Sequence, residues 1–419
     1  MVGEAVRSER FERPGRSWRR IFATVGPGLV VMLADTEVGS VISASQSGAR
    51  WGYRLMALQF LLVPVLYATQ ELALRLGVTT GLGMGELIRA RLGRRWALLA
   101  TATLVLSCLG ALLTQMSGLA GVGQIFGIPS WATIAAVVAM IFIMVGTGSY
   151  HAVERFALVL GAAELAFLVV AWRSHPDAGR MLAQVRQQPL ADHDYLYLLA
   201  ANMGTCVMPW TVFYQQSAVI DKGLTQSDLK LARLDTLLGA IACQTITAAV
   251  VVAAASTLGG HAGGTSLDSV PQLAAAFSRA LSPTFGNIVF AVGLSGGALV
   301  ATIVVCLTVA WTLGEVTGFH HSLEQHPFEA PWFYGSFAVI LLGGAALVAS
   351  GVHVIRLTLA AGVANAVLLP VVLLLLWRLA REVPPPRHRL RGAPAALVAL
   401  VFIVAGAVGL YAAIQGMRA

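Results

Sequence analysis

Hydrophobic residues in this chain fall in long blocks rather than in alternation with polar ones. Eleven blocks reach the roughly 20 apolar residues that a helix needs to cross a bilayer: about 21–47, 53–76, 97–127, 131–149, 152–172, 194–219, 233–258, 284–313, 333–351, 353–380 and 393–415. They recur with only short polar stretches between them, which predicts an all-α integral membrane protein built as one polytopic unit. Two blocks are interrupted. The first reads GPGLVVMLADTEVGSVISASQSGA from Gly26 to Ala49, with Asp35, Thr36, Glu37, Gly39, Ser40, Ser43, Ser45 and Gln46 in its middle and second half. The sixth reads AANMGTCVMPWTVFYQQSAVIDKG from Ala200 to Gly223, where Gly204 and Pro209 bracket a short segment. Proline lacks an amide hydrogen and clashes with the preceding turn, so a break is expected between Thr205 and Met208.

Irregular backbone inside a membrane survives only where it lines an enclosed cavity. Breaks in spans one and six therefore predict two five-helix repeats, each opening on a discontinuous helix, with a binding site between the breaks. The expected organisation is a basic N-terminal segment (1–20), a first repeat (21–172), an external loop (173–193), a second repeat (194–380), a proline-rich linker (381–392), and an eleventh helix with the C-terminus (393–419).

Composition agrees. Of 419 residues 57% are hydrophobic and 11% charged, against about 25% charged in soluble domains, and the mean hydropathy is +0.76. An ordinary soluble enzyme is excluded. Cys108, Cys206, Cys243 and Cys306 each lie within an apolar block and form no CxxC pair, which argues against a zinc site or a disulfide framework. The net charge of +8 reports topology rather than nucleic-acid binding. Six arginines (Arg7, Arg10, Arg13, Arg16, Arg19, Arg20) precede the first span, and the clusters Arg89 to Arg95, Lys222 to Arg233 and Arg378 to Arg391 fall on the same side of the alternation. The positive-inside bias then places the N-terminus in the cytoplasm and the C-terminus outside a cell membrane.

A carboxylate in mid-membrane is costly unless it meets a cation, a partner or water. Asp35 and Glu37 are such carboxylates, and neither break holds a lysine or arginine. A metal cation is the economical partner. Carboxylates, hydroxyls and freed carbonyls suit hard divalent ions, while the thioether of Met208 favours manganese or iron. Ser40 is either a ligand or a cap for the second half-helix, and Cys206 either a soft ligand or an inert thiol. Weaker signals are the pair Glu86 and Arg89 one turn apart, His151 with Glu154 between spans four and five, and a run of His320, His321, Glu324 and His326 in a loop free of lysine and arginine, either a metal-collecting cluster or a polar loop. Gly81, Gly83 and Gly85 make no phosphate loop, since no Lys-Ser or Lys-Thr pair follows.

At these residues the sequence resembles the Nramp family of divalent metal transporters. Gly26-Pro27-Gly28 is followed after eight residues by Glu37-Val38-Gly39-Ser40, where the family has D-P-G-N. Gln46-Ser47-Gly48-Ala49 then leads to Gly52-Tyr53, Gln70 to Gly81 looks like the family's run after the second helix, and Met208-Pro209-Trp210 stands at its M-P-H. The resemblance implies a LeuT-type inverted repeat of five plus five helices with one added helix. It also implies a metal held by Glu37, Ser40, Met208 and the main-chain carbonyl of Thr205, with Asp35 as a further candidate and Gly39, Cys206, Pro209, Trp210 and Gln46 along the path. Glu replaces the family's Asp, Ser its Asn, and Trp210 its histidine. The family's third-helix acids fall at Ala111 and Thr114, and no acid occurs from Trp96 to Pro129. The chain is in this respect similar to the divergent Nramp-related magnesium transporters, in which coupling residues are lost.

The expected function is transport of manganese or magnesium, with iron as a third candidate, by alternating access and without the usual proton relay. The ion is cargo, and no cofactor and no nucleic-acid partner are expected beyond the metal and the bilayer. The alternative is a sodium-coupled or proton-coupled carrier of a small organic cation, for which Trp210, Phe213 and Tyr214 would supply an aromatic box. No constellation of nucleophile, base and oxyanion donors supports an enzyme.

Overall fold

The computed structural model describes residues 24–146, 149–258, 267, 269–278, 282–323, 325, 327–348 and 354–418. The six N-terminal arginines, Glu324 and His326 lie outside the described residues.

Among the described residues all regular structure is helical. The first span is α1 (Pro27–Asp35) and α2 (Val38–Trp51), and α3 (Met56–Thr80) is the second. A short α4 (Met84–Leu92) leads to α5 (Arg94–Ile125) and α6 (Ser130–Val145). The fifth span is α7 (Tyr150–Ala162) joined to α8 (Ala166–Arg173) by a single 3-10 turn, and a surface helix α9 (Ala178–Arg186) follows. The sixth span is α10 (His193–Cys206) with α11 (Pro209–Asp221), and α12 (Leu229–Leu258) is the seventh. After α13 (Val270–Ser278) come α14 (Pro283–Thr317), α15 (Pro331–Val348), α16 (Val354–Glu382) and α17 (Gly392–Gly416). Among the described residues eight spans are long and apolar enough to cross a membrane, the α1–α2 pair bent by 47° makes a ninth, and the two shorter apolar helices α6 and α15 stand at the remaining two of the eleven expected positions.

Both breaks follow from local chemistry. Helix α1 starts on Pro27, whose missing N–H costs nothing at a helix N-terminus. It ends at Asp35, and Glu37 restarts the chain in extended conformation (φ −80, ψ 179) as the N-cap of α2. In the sixth span Pro209 is the first residue of α11 and forces its predecessor Met208 into extended geometry (φ −97, ψ 143). The break is shorter than expected. Thr205 and Cys206 remain helical, and only Val207 and Met208 leave the ladder.

Helix α12 packs along α1, α2 and α3, α14 against α5, and α10 against α16 and α17. Gly362 of α16 takes part in the last contact, since a methyl group there would stand 2.8 Å from the Ala201 carbonyl; small residues let two helix backbones meet when hydrophobic burial cannot drive helix association in lipid. Leu61, Leu106, Ile143, Val159 and Trp172 are exposed on the outer surface, as lipid-facing residues must be. The segment 173–193 is not a simple loop, because Asp177 caps α9 by accepting the N–H groups of Gly179 and Arg180.

Candidate metal centre

The two breaks face each other. Ser40, in the first turn of α2, donates its hydroxyl to the Asp35 carbonyl at 2.7 Å and lies 3.4 Å from the carbonyl of Thr205 in α10. The same side chain thus spans the break in α1–α2 and touches the end of α10. The N-terminus of α2 is held from α5, where Gln115 Oε1 accepts the Val38 N–H at 3.3 Å.

A cavity of about 310 Å³ opens against this junction. Glu37, Thr205, Met208 and Trp210 line it, with Ala111 and Thr114 of α5 and Asn365 of α16 on the facing walls. No lysine, arginine or histidine is among its lining residues. Glu37 is 4% exposed, and its Oε2 has no hydrogen-bond partner. A methyl group on Gly39 would overlap Glu37 Oε1, so the glycine leaves room for the carboxylate to fold back over the start of α2. Met208 and Trp210 are buried, and the Trp210 indole N–H is unpartnered. A buried carboxylate, a thioether and a nearby main-chain carbonyl form a mixed donor set of the kind that holds a late divalent ion.

The other expected site residues are placed elsewhere. Asp35 does not line the cavity; its Oδ2 faces the thiol of Cys243 at 3.7 Å, on α12. Cys206 accepts from Gln244 Nε2 at 3.1 Å. Gln46 donates to the Leu267 carbonyl at 2.5 Å, in the segment after α12, and Pro209 serves the break rather than the cavity wall.

Past Trp210, aromatic rings cluster on α11, α14 and α15: Tyr214 lies 5.5 Å from Trp311 and Trp311 6.4 Å from Phe333, ring centre to ring centre. Beyond Trp311 is a second cavity of about 530 Å³ whose lining includes Glu86, Asp221, Glu315, His320 and His321. Its acids are engaged. Glu315 accepts from Ser217 at 2.5 Å and from the Gly85 N–H at 2.9 Å, and Asp221 accepts from Ser322 and the Leu323 N–H. No group of three or more histidine, cysteine, aspartate or glutamate side chains is placed to hold a metal among the described residues. Glu86 and Arg89 do not face each other as an ion pair; Glu86 accepts the Gly83 N–H and Arg89 donates to the Val316 carbonyl at 2.7 Å.

Sequence reasoning named Glu154 and Lys222 without their pairing, and missed Asp235 and Glu164. Lys222 contacts both Glu154 oxygens at 2.8 and 2.9 Å and donates to the Val25 carbonyl at 2.8 Å. Asp235 accepts from the backbone of Gly26 and Gly28. Glu164 is fully buried between α7 and α8. Glu164 is a lone charge within an apolar block, and Glu154, Lys222 and Asp235 stand beside other charges at the edges of such blocks; the sequence shows the charges but does not name their partners.

Two broken helices facing each other across a buried, uncompensated carboxylate define a membrane carrier of the discontinuous-helix class. The family model described as "Natural resistance-associated macrophage protein-like" matches residues 28–415, and the chain belongs to this family, Nramp. It is a transporter and not an enzyme. The divalent metal cation transporter MntH of Xanthomonas campestris is 26% identical over 319 residues, 73% of this chain and 71% of that protein; MntH of Bradyrhizobium diazoefficiens is 26% identical over 326 residues, 73% and 70% of the two chains. Among solved structures, a variant of the manganese transporter of Eremococcus coleocola aligns with a TM-score of 0.75 at 16% identity, over 96% of this chain and 88% of that one. A Na+-coupled sialic acid symporter aligns at 0.61 and 13% identity, over 95% and 90%. The fold is accordingly the LeuT type, five plus five helices with one more.

Proposed function

We propose that this protein carries divalent metal cations across the cell membrane by alternating access, with manganese ahead of magnesium and iron, and without the proton relay usual in its family. Glu37 is the charged ligand, Met208 and the Thr205 carbonyl complete the set from the sixth span, and Ser40 holds the two breaks in register or carries a water. The observation behind this is a single one: Glu37, Thr205 and Met208 share one cavity that no cationic side chain enters. Met208 in that wall favours manganese over magnesium, which keeps its waters and gains little from a thioether.

Ala111 and Thr114 stand on the wall where a relay would need acids, and neither titrates. Transport would then follow the ion gradient and the membrane potential. A doubly charged ion crossing 100 mV gains about 4.6 kcal/mol, twice the value for a single charge, enough for accumulation without a coupled proton. The repeats are assigned to 21–172 and 194–380, with the N-terminus cytoplasmic and the C-terminus outside.

The test is manganese entry into proteoliposomes holding a metal-quenched dye, with magnesium as competitor and internal pH recorded. Uptake that resists magnesium, leaves internal pH unchanged and disappears in Glu37→Gln is the expected result. Equal competition by magnesium would remove Met208 from the ligand set, and acidification would contradict the uncoupled mode. Uptake of an organic cation with no metal uptake would replace the reading altogether.

A further inference from the structure

We infer that the cavity holding Glu37 opens sideways into the bilayer between α5 and α16, and that it takes a lipophilic monovalent amine from the membrane, with the ammonium group on Glu37 and the hydrocarbon chain in the opening. The two helices run in opposite directions, and each turns one face to the gap. On α5 that face is Thr103, Leu106, Ser107 and Gly110, and on α16 it is Ala361, Ala364, Asn365 and Leu368, all of them in the wall of the cavity that Glu37 lines. The spacing of three and four residues puts each set on one side of its helix. At one end the two faces meet, where the Thr358 hydroxyl lies 3.4 Å from that of Thr114. At the other, Leu106 is 72% and Leu368 49% exposed on the outer surface, where a spanning helix faces lipid.

Gly110 shows that the gap is open. Small residues in membrane helices ordinarily bring two backbones into contact, yet a methyl group on Gly110 would meet nothing within 4 Å. Helix α5 packs mainly on α14 and α15 and only lightly on α16. The gap is also poor in free donors. Thr103 donates its hydroxyl to the Leu99 and Ala100 carbonyls, and Thr114 to that of Gly110, so both are spent on their own helix. At the inner end stands Glu37, 4% exposed, with Oε2 buried and unpartnered. Native proteins leave buried polar atoms unpaired so seldom that each case needs a cause.

These features select the ligand. A bare charge is costly in hydrocarbon, so the opening is no route for a divalent metal. A neutral acyl chain could fill the gap but would leave Glu37 unpaired, and an anionic amphiphile would set like charge against it. An amine carried in the bilayer by its chain suits both ends, since an ammonium group on a carboxylate is a charge-assisted contact. The volume of about 310 Å³ lies at the lower end of the range for small-molecule pockets, about 300–1,000 Å³. Such a ligand occupies the carboxylate that the metal uses, and therefore acts as an inhibitor arriving from lipid. The inference rests on the reading of Glu37 as the charged group of the metal site, but not on which metal it binds.

The experiment is photolabelling of the full-length protein in proteoliposomes with dodecylamine bearing a diazirine at the chain end, beside the alcohol of the same chain, with adducts mapped by mass spectrometry. Amine adducts should concentrate on residues 103–110 and 361–368, and the alcohol should not match them. In Glu37→Gln they should fall about tenfold, the loss of one charge-assisted contact, and they should also fall in Gly110→Leu, whose side chain fills the gap. Equal labelling by amine and alcohol in the wild type overturns the proposal without reference to any variant, because the occupant is then a plain acyl chain. Amine labelling spread evenly over the lipid-facing helices, or unchanged in Glu37→Gln, overturns it too. Manganese separates the two readings: a confined label that manganese does not displace counts against Glu37 as the metal ligand, whereas manganese uptake with no confined label counts against the sideways opening.

Discussion

A single oxygen of Asp235 on α12 accepts the backbone N–H groups of both Gly26 and Gly28, at 3.1 and 2.8 Å. The first N–H groups of a helix have no partner within it, and the aligned peptide dipoles make that end electropositive. Asp235 answers both needs at once, and it fastens the N-terminus of α1 to the seventh span 207 residues further on. There is no space for a side chain at the contact, since a methyl group on Gly28 would come 2.7 Å from Asp235 Oδ2.

Asp235→Ala is expected to release α1. Each N–H left buried without an acceptor costs about 1–3 kcal/mol, and the strain is local. Hydrogen exchange should accelerate across residues 24–35 while α12 and α14 keep their protection. Unchanged exchange in that segment would mean that Asp235 does not hold it.

The ion pair of Lys222 with Glu154 lies beside this latch and also grips the Val25 carbonyl. Its side chains are 1% and 7% exposed, so removing one partner strands a buried charge, at about 3–5 kcal/mol. Lys222→Met and Glu154→Gln should each lower the unfolding midpoint markedly, and the double variant should recover much of the loss. A strictly additive double variant would show that the two charges are stabilised independently.

Both breaks were legible in the sequence because each has a covalent or electrostatic cause on the spot: Pro209 in one, and acids, hydroxyls and a glycine in an apolar run in the other. Glu37, Met208 and Trp210 were legible for the same reason, as was the absence of acids around Ala111 and Thr114. What the sequence could not display is direction. Asp35 and Glu37 are two residues apart and both carboxylates, yet the extended Glu37 turns one toward the cavity and leaves the other facing Cys243. Glu164 sits in an unbroken apolar block, and its place beside Thr36 and Gly297 arises only when three distant spans pack. The pairing of Asp235 with Gly26 is of the same kind.

Met208 gives a prediction about selectivity rather than rate. Its thioether is buried on the cavity wall with Glu37, and sulfur contributes to binding manganese but hardly to magnesium. Met208→Ala should therefore weaken manganese relative to magnesium by about tenfold, or about 1.4 kcal/mol, as read from competition in the proteoliposome assay. Equal weakening of both ions would make Met208 a packing residue.

Thr114 gives the sharpest test of the proposed uncoupled mode. It is 4% exposed on α5, lines the cavity together with Glu37, and its hydroxyl stays near the helix, 3.2 Å from the Gly110 carbonyl, with Thr358 of α16 at 3.4 Å. A carboxyl group introduced there would share the cavity with Glu37, and two acids in one buried space do not both ionise readily, so one of them holds a proton. A doubly charged ion arriving at Glu37 would favour releasing that proton, which is the elementary step of coupling. Thr114→Glu is expected to make manganese uptake rise as the outside is acidified and to bring internal acidification with it, whereas Thr114→Gln, of the same size and without charge, should leave uptake independent of pH. The measurement is uptake and internal pH recorded together across an imposed proton gradient. If Thr114→Glu transports manganese with no proton movement, an acid at this wall is insufficient for coupling, and the proposed uncoupled mode has a cause elsewhere than the third span.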